Sequence, residues 1–241
     1  MRWREKAFPA AFLLALSLPA WGAGATSDAV AMRRIAQNRE AAPQADYAWD
    51  RPYCLRYRSW HPDLLILGDS IFDGWSGYLL RVFPRAVIDA RVGRQFSSAI
   101  PVYRGLLRYP GIRSIQTVVV ELGTNGPVYP RQIREFMALA GQRRVVFIVP
   151  QVPRPWAGEV QSLYSRLPGE YPNIRLEYWN RLSDLPDGRE NMAYFWGDGV
   201  HPNWQGIQVL VSGLQQVLES WEDSVAGKKI RYTVSHSVFM R

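Results

Sequence analysis

The chain has 241 residues, which is enough for one globular domain with short extensions and a substantial core. Its single cysteine, Cys54, excludes an internal disulfide and is most simply read as a small buried hydrophobic residue. The formal net charge of +8 comes from dispersed basic residues. Because basic runs interleaved with aromatic residues are lacking, we expect no nucleic-acid partner, and anionic glycans or envelope lipids fit the charge better.

The N-terminus has the layout of a cleaved secretory signal, which we place at residues 1–25. A short basic start precedes an apolar stretch over residues 7–21, and a small-x-small site follows at residues 23–25. The apolar stretch is short for a membrane span and contains two prolines, so a retained anchor is the weaker alternative. The sequence therefore predicts an exported, periplasmic protein.

Residues 26–61 are predicted to form a leader segment with a short helix over residues 28–39. An aromatic stretch closes this segment and ends at Trp60. Its side chains either pack on the domain that follows or form a wall of a glycan-binding groove.

The domain itself is predicted over residues 62–222, with residues 223–241 as a tail or an added strand. Short apolar, β-branched runs predict buried parallel strands. These runs cover residues 64–67, 87–90, 117–122, 145–149 and 174–178. Helical patterns alternate with them, at residues 75–82, 96–107, 131–140, 158–167 and 202–221. Alternating strands and helices indicate an α/β fold, a three-layer α/β/α sandwich whose ligands bind beyond the carboxyl ends of the strands.

Ser70 follows the first of these strands and precedes a helical pattern. A serine at this place projects over the sheet, where helix N-terminal amides favour negative charge, so it could be a nucleophile. It could equally be a helix N-cap. A serine nucleophile needs a base, and the chain has three histidines. His61 precedes the first strand and His236 lies in the tail, whereas His201 stands just before the last helix, three residues after Asp198, which could orient it.

Two further loops follow predicted strands at the same edge of the sheet. Gly93 lacks a side chain, so its backbone N–H could approach a ligand closely. Asn125 lies in Gly-Thr-Asn-Gly and could donate its amide to an oxyanion, although Asn-Gly is also a common turn pair. Four residues are candidates for substrate contact, with packing or surface roles as alternatives: Asp69, Arg94, Gln95 and Trp204.

The sequence at this point resembles the SGNH hydrolases, also called the GDSL esterase/lipase superfamily. Its four blocks match Ser70 in GDSI, Gly93 in VGRQ, Asn125 in GTNG and His201 in DGVHP. The resemblance implies a flavodoxin-like sandwich with five parallel strands, and neither metal nor cofactor. It implies Ser70 as nucleophile, His201 as base and Asp198 as orienting acid. The oxyanion hole would be the Ser70 and Gly93 N–H groups with the Asn125 side chain.

One departure narrows the resemblance, because Gly126 replaces the acid that usually follows the asparagine. The wording of the second and third blocks is similar to the extracytoplasmic domain of OatA-like peptidoglycan and polysaccharide O-acetyltransferases. We therefore expect an acyl-ester hydrolase or O-acetyltransferase that acts on O-acetylated envelope glycans as a monomer. A separate membrane acyltransferase would supply the acyl group to a transferase. The alternatives are a lipase-like or thioesterase-like enzyme for longer acyl chains, and a glycan-binding protein that kept the fold without catalysis.

Overall fold

The computed structural model describes residues 55–59, 61–185, 188–189 and 191–226. The predicted signal, the helix over residues 28–39, most of the aromatic stretch, Cys54 and His236 lie outside these residues. We number strands and helices in chain order within the described part.

The described residues contain a six-stranded sheet with the order β1-β3-β2-β4-β5-β6. Its strands are β1 (Leu55–Tyr57), β2 (Leu64–Gly68), β3 (Ala86–Ala90), β4 (Thr117–Glu121), β5 (Arg144–Ile148) and β6 (Ile174–Glu177). Strands β2 to β6 pair with one another in parallel, which confirms the five predicted strands.

Strand β1 was not predicted and lies in the segment assigned to the leader. It runs antiparallel to β3 at the edge of the sheet. Three residues with a central arginine give no apolar run, so the sequence pattern could not reveal it. Arg56 is nevertheless buried, and its guanidinium donates to Asp73 Oδ1 at 2.6 Å. This ion pair fastens β1 to the helix that follows β2.

The five predicted helices are present, and three shorter ones occur among the described residues. The helices are α1 (Ser70–Gly74), α2 (Ser76–Val82), α3 (Phe96–Leu106), α4 (Pro110–Arg113), α5 (Pro130–Ala140), α6 (Ala157–Glu170), α7 (Trp179–Leu182) and α8 (Trp204–Ala226). Helices α1, α4 and α7 are too short to show a helical period. Helix α8 continues through Ala226, into the segment predicted as a tail. None of the helices of the described residues is both long enough and apolar enough to cross a membrane.

Two hydrophobic clusters lie on opposite faces of the sheet, because successive side chains of a strand point to opposite sides. Leu65 and Leu67 of β2 pack with residues of α3, α5 and α6. Leu64 and Ile66 pack on the other face with residues of α1, α2 and α8. This arrangement confirms the predicted three-layer sandwich, with an antiparallel edge strand added.

The register of the sheet brings the loops of the predicted site together. Gly68 at the end of β2 pairs with Ala90 of β3 on one side and with Glu121 of β4 on the other. The carboxyl ends of these three parallel strands therefore lie side by side. The segments that follow carry Ser70, Gly93 and Asn125.

Candidate active site

Ser70 is the first residue of α1 and is half-buried. The N-cap of this helix is Asp69, whose Oδ1 accepts a hydrogen bond from the Ile71 N–H at 3.0 Å. Ser70 is therefore not the cap, and its hydroxyl takes part in a different contact. The Ser70 Oγ lies 2.9 Å from Nε2 of His201.

Asp198 and His201 complete a line of hydrogen bonds behind Ser70. His201 Nδ1 lies 2.6 Å from Asp198 Oδ2. The other oxygen, Oδ1, accepts from the backbone N–H groups of Val200 at 2.9 Å and His201 at 3.0 Å. The carboxylate thus fixes both the imidazole and the turn that carries it. A carboxylate at Nδ1 favours the tautomer with the proton on that nitrogen and leaves Nε2 as an acceptor toward Ser70.

The same contacts set the protonation state of Asp198. Partial burial by itself would raise its pKa, but the hydrogen bonds from the His201 side chain and from the two backbone N–H groups outweigh burial and lower the pKa below its usual value. Asp198 is therefore ionised at neutral pH, as an orienting acid must be.

Residues 196–203 form the loop that carries Asp198 and His201, called the histidine loop below, and hydrogen bonds hold this loop from both sides. The Trp196 N–H donates to the His201 carbonyl at 2.9 Å and closes the turn around Asp198. The indole N–H of Trp75, between α1 and α2, donates to the Pro202 carbonyl at 3.1 Å. Asn203 donates its side-chain amide to the Ala193 carbonyl at 2.7 Å. His201 therefore sits on a short loop that is fixed to the structure beside Ser70.

The loop after β3 presents Gly93 at the surface in a left-handed conformation, with φ of 72°. Arg94 folds back beneath this loop. Its guanidinium is buried and bonds both the carbonyl and the carboxylate of Asp89 in β3. The structure thus does not bring Arg94 to the site surface as a substrate contact. Its buried charge is neutralised by Asp89, and the pair holds the Gly93 loop to the strand.

The loop after β4 carries Asn125, which is half-buried. Its side-chain Nδ2 donates to Asp69 Oδ2 at 2.9 Å. Since an amide nitrogen has two hydrogens, the second remains to be donated elsewhere. Asp69 is itself fully buried, so it contacts Asn125 and α1 and is not placed to bind a substrate directly.

Helix α6 anchors the start of this loop from the opposite face of the sheet. The Tyr164 hydroxyl donates to the Leu122 carbonyl at 3.0 Å, and the Trp156 indole donates to the Gly123 carbonyl at 3.1 Å. Gly123 has φ of 115°, and a Cβ there would lie 2.9 Å from Val160 Cγ1. Glycine is therefore required on both conformational and steric grounds.

Gln95 and Trp204 border the site on its two sides. Gln95 is exposed, and its side chain packs against Gly126 in the Asn125 loop. Trp204 begins α8 next to the histidine loop and packs on Trp75 and Tyr78, with ring centroids 5.8 and 5.1 Å apart. Both stay candidates for substrate contact, and Trp204 also has a packing role.

Several supporting residues were missed by sequence reasoning. The capping role of Asp69 could have been found, since an aspartate before a helix is a favoured N-cap. The roles of Trp75, Trp156 and Tyr164 carry no local signal, because each contacts a residue distant in sequence. His61 precedes β2, at the opposite end of that strand from Ser70, as expected. Among the residues that the structure describes, His, Cys, Asp and Glu side chains form no group of three or more suited to a metal ion.

The fold of the described residues is similar to that of solved GDSL-like lipases and of an O-acetyltransferase domain. A GDSL-like lipase from Bacteroides thetaiotaomicron superposes with a TM-score of 0.55 at 18% identity, over 79% of this chain and 98% of that chain. The C-terminal catalytic domain of the Streptococcus pneumoniae peptidoglycan O-acetyltransferase OatA, solved with a methylsulfonyl adduct, gives 0.58 at 17% identity, over 67% and 95%. These likenesses confirm the predicted fold.

The particular relatives are O-acetyltransferases. The O-acetyltransferase OatA of Staphylococcus aureus is 28% identical over 156 residues, which are 65% of this chain and 25% of that protein. The chain thus spans about a quarter of the length of the curated relatives it matches. The predicted resemblance to the OatA branch is confirmed. No protein-family model matches the chain.

Proposed function

We propose that this chain is a serine-dependent acyl-transfer enzyme that moves small acyl groups, acetyl above all, on or off the glycans of the cell envelope. The observation that carries the proposal is the line of hydrogen bonds from Ser70 Oγ to His201 Nε2 at 2.9 Å and from His201 Nδ1 to Asp198 at 2.6 Å. A nucleophile within reach of a base, and a base oriented by a third group, is the arrangement that covalent acyl transfer requires.

The reaction would proceed in two halves. In the first, His201 Nε2 takes the Ser70 proton while Oγ attacks the ester carbonyl carbon. The tetrahedral intermediate then expels the alcohol, which receives the proton from His201. In the second half, His201 takes a proton from water or from a sugar hydroxyl, whose oxygen attacks the carbonyl carbon of the acyl-Ser70. The second tetrahedral intermediate breaks its bond to Ser70 Oγ, which regains a proton from His201 as the free acid or the acylated sugar leaves. Asp198 accepts the hydrogen bond from Nδ1–H throughout and stabilises the imidazolium.

The oxyanion of each tetrahedral intermediate would face three donors: the backbone N–H groups of Ser70 and Gly93 and the second amide hydrogen of Asn125. The exposed Gly93 loop and the half-buried Asn125 follow the strands on either side of β2. Donors that are already fixed before the reaction cost no reorganisation when charge develops.

The openness of the site bears on what the acyl group reacts with. The side chains of His201 and Asp198 are 40% and 49% exposed. Because the protein does not enclose the base, water can reach the acyl-serine unless the acceptor displaces it. A large acceptor that covers the site would give a transferase, and its absence would give an esterase.

A groove beside the site, lined by both polar and apolar side chains, supports a glycan as the large substrate. It has a volume of about 370 Å³ and lies between α3 and α5, the two helices that begin after the Gly93 and Asn125 loops. Tyr129, which is 56% exposed, lines it together with Ser97, Arg131 and Gln132. An exposed tyrosine ring among hydrogen-bonding side chains suits a sugar, which has an apolar ring face and hydroxyl edges.

The groove is tested by Tyr129→Ala. We expect kcat/KM for an O-acetylated peptidoglycan fragment to fall about tenfold, while kcat/KM for a small acetyl ester stays unchanged. The matched control is Tyr109→Ala, a similarly exposed tyrosine that directly precedes α4 and does not line the groove. Equal losses on both substrates, or no loss on the glycan, would argue against a glycan in this groove.

Ser70 itself is tested with a sulfonyl fluoride probe and intact-protein mass spectrometry. We expect one adduct on Ser70, none in Ser70→Ala, and labelling slowed by several powers of ten in His201→Ala if the residues act as a unit. Unlabelled Ser70 in a folded protein would refute the nucleophile and would favour a binding protein without catalysis.

Products decide between esterase and transferase. An acetyl donor is incubated with and without a glycan acceptor, and the acetylated glycan and free acetate are measured by mass spectrometry. A series of model esters with longer acyl chains tests the lipase-like alternative, which predicts rising activity with chain length.

We place the enzyme outside the cytoplasm with a separate membrane protein as acyl donor, in line with peptidoglycan as the substrate named for the pneumococcal relative.

A further inference from the structure

Two carboxyl groups are buried side by side under the proposed oxyanion site. Asp69 and Glu121 stand at the ends of neighbouring strands, and both are buried. The Asp69 N–H donates to Glu121 Oε2 at 3.1 Å. Neither carboxyl is accounted for by the nucleophile, the base or the orienting acid.

The contacts of Asp69 divide between two elements of the site. Its Oδ1 accepts from the Ile71 N–H at the start of α1, and its Oδ2 accepts from the Asn125 side chain. Glu121 therefore accepts from the backbone of Asp69, and the side chain of Asp69 accepts from Asn125. These contacts join the nucleophile helix to the loop that carries the side-chain oxyanion donor.

We propose that Asp69 and Glu121 are positioning residues that act through Asn125: together they hold its amide so that one N–H binds Asp69 and the other faces the oxyanion. A carboxylate can only accept hydrogen bonds, so Asp69 Oδ2 decides which end of the amide turns toward it. Without this acceptor the amide could rotate by half a turn and present its oxygen to the oxyanion. The proposal rests on the acyl-transfer function proposed above.

The protonation of the pair fits this role. Burial raises the pKa of Asp69 to about 6, against the hydrogen bonds it accepts. Burial and the neighbouring Asp69 charge raise the pKa of Glu121 well above its usual value. Asp69 is therefore mostly ionised at neutral pH, whereas the raised pKa of Glu121 favours its protonated form. A protonated Glu121 adds no repulsion toward the oxyanion beyond that of Asp69.

Asp69→Asn tests the proposal by the sign of its effect. The amide oxygen can still accept from Ile71, but its NH2 group would face the Asn125 NH2 group, so Asn125 must rotate. We expect kcat on a small acetyl ester to fall about 10²-fold with little change in KM, as for loss of an oxyanion donor. If Asp69 acted only as a charge near the oxyanion, its neutralisation would raise kcat instead, and that result would overturn the proposal.

Glu121→Gln tests the same chain of contacts by a double-mutant cycle with Asn125→Ala. We expect a loss in kcat of about tenfold in the native background and less than twofold in the Asn125→Ala background, because Glu121 acts through Asn125. Equal losses in both backgrounds would indicate general damage and refute the positioning role. If Glu121→Gln does not fold, Asp69→Asn with Asn125→Ala gives the same cycle.

Labelling of Ser70 by the sulfonyl probe separates this proposal from the function on which it rests. If Ser70 of Asp69→Asn is labelled and the variant keeps full activity, the positioning role alone is refuted. Failure to label the native protein would sink the acyl-transfer function.

Discussion

Replacement of Asp198 by asparagine should disable the base while keeping its loop folded. The amide oxygen can take the place of Oδ1 and accept from the N–H groups of Val200 and His201. The NH2 group then faces Nδ1 of His201, which must become an acceptor. The imidazole proton moves to Nε2, where it points at Ser70 and prevents Nε2 from taking the serine proton.

The structure brackets the size of this effect. The correct tautomer is regained only if the amide rotates, which sets its NH2 group against two backbone donors. Two lost hydrogen bonds of about 1 kcal/mol each make that rotation about 30-fold unfavourable. The upper limit is the loss of about 10⁴ that the same replacement causes in serine proteases with a buried aspartate. Because Asp198 is half exposed, we expect kcat to fall about 10³-fold.

The assay is steady-state hydrolysis of a small acetyl ester, with Tm measured on the same samples. The control is Asp63→Asn, which removes an exposed carboxylate paired with Arg85 at 2.8 Å, far from Ser70. A loss below tenfold for Asp198→Asn, in a protein of native Tm, would refute the tautomer argument.

Three further predictions concern stability and the supports of the site. Glu177 is buried, and burial raises its pKa well above the usual value, so the folded chain keeps a proton that the unfolded chain loses above about pH 4.5. Glu177 should therefore lower the free energy of unfolding by up to about 1.4 kcal/mol per unit of rising pH. Urea titrations of Glu177→Gln should show a correspondingly smaller decline than the native chain, in which Asp69 and Glu121 contribute declines of their own; parallel curves would contradict it. Gly123→Ala should cost about 1–3 kcal/mol, more than Gly93→Ala, whose added Cβ meets nothing within 4 Å; equal Tm values would contradict the steric part. Trp75→Phe should cost about 1 kcal/mol and lower kcat by loosening the histidine loop, and unchanged kcat would show that this hydrogen bond does not position the base.

The parallel strands could be predicted because burial on both faces demands continuous apolar runs, such as the one over residues 117–122. Strand β1 could not be predicted, since its central Arg56 is charged and is buried in an ion pair with Asp73. That partner comes from a helix 17 residues away.

The placement of Ser70, Gly93 and Asn125 could be predicted from the sequence because each of them follows the end of a strand. The direction in which a side chain points could not be predicted. Arg94 is a predicted substrate contact because it stands beside Gly93, yet its side chain turns inward and pairs with Asp89. A signal for this pairing existed, because Asp89 lies within a buried apolar strand and an ionised carboxylate there needs a partner. The sequence of β3 did not by itself identify which cationic side chain would pair with the Asp89 carboxylate.

The proposed site combines fixed donors with an open base, and this combination shapes its chemistry. Ser70, Gly93 and Asn125 follow strand ends, and the Asn125 loop is tied from both faces of the sheet by Asp69 and by the aromatic donors of α6. The base, in contrast, stands on a loop with 40% of its side chain exposed. Rigid oxyanion donors lower the barrier for any small acyl group, whereas an open base leaves the acceptor to be chosen by surfaces outside the catalytic residues. Selection between water and sugar should therefore respond to changes in the groove between α3 and α5, and changes at Asn125 should slow both reactions alike.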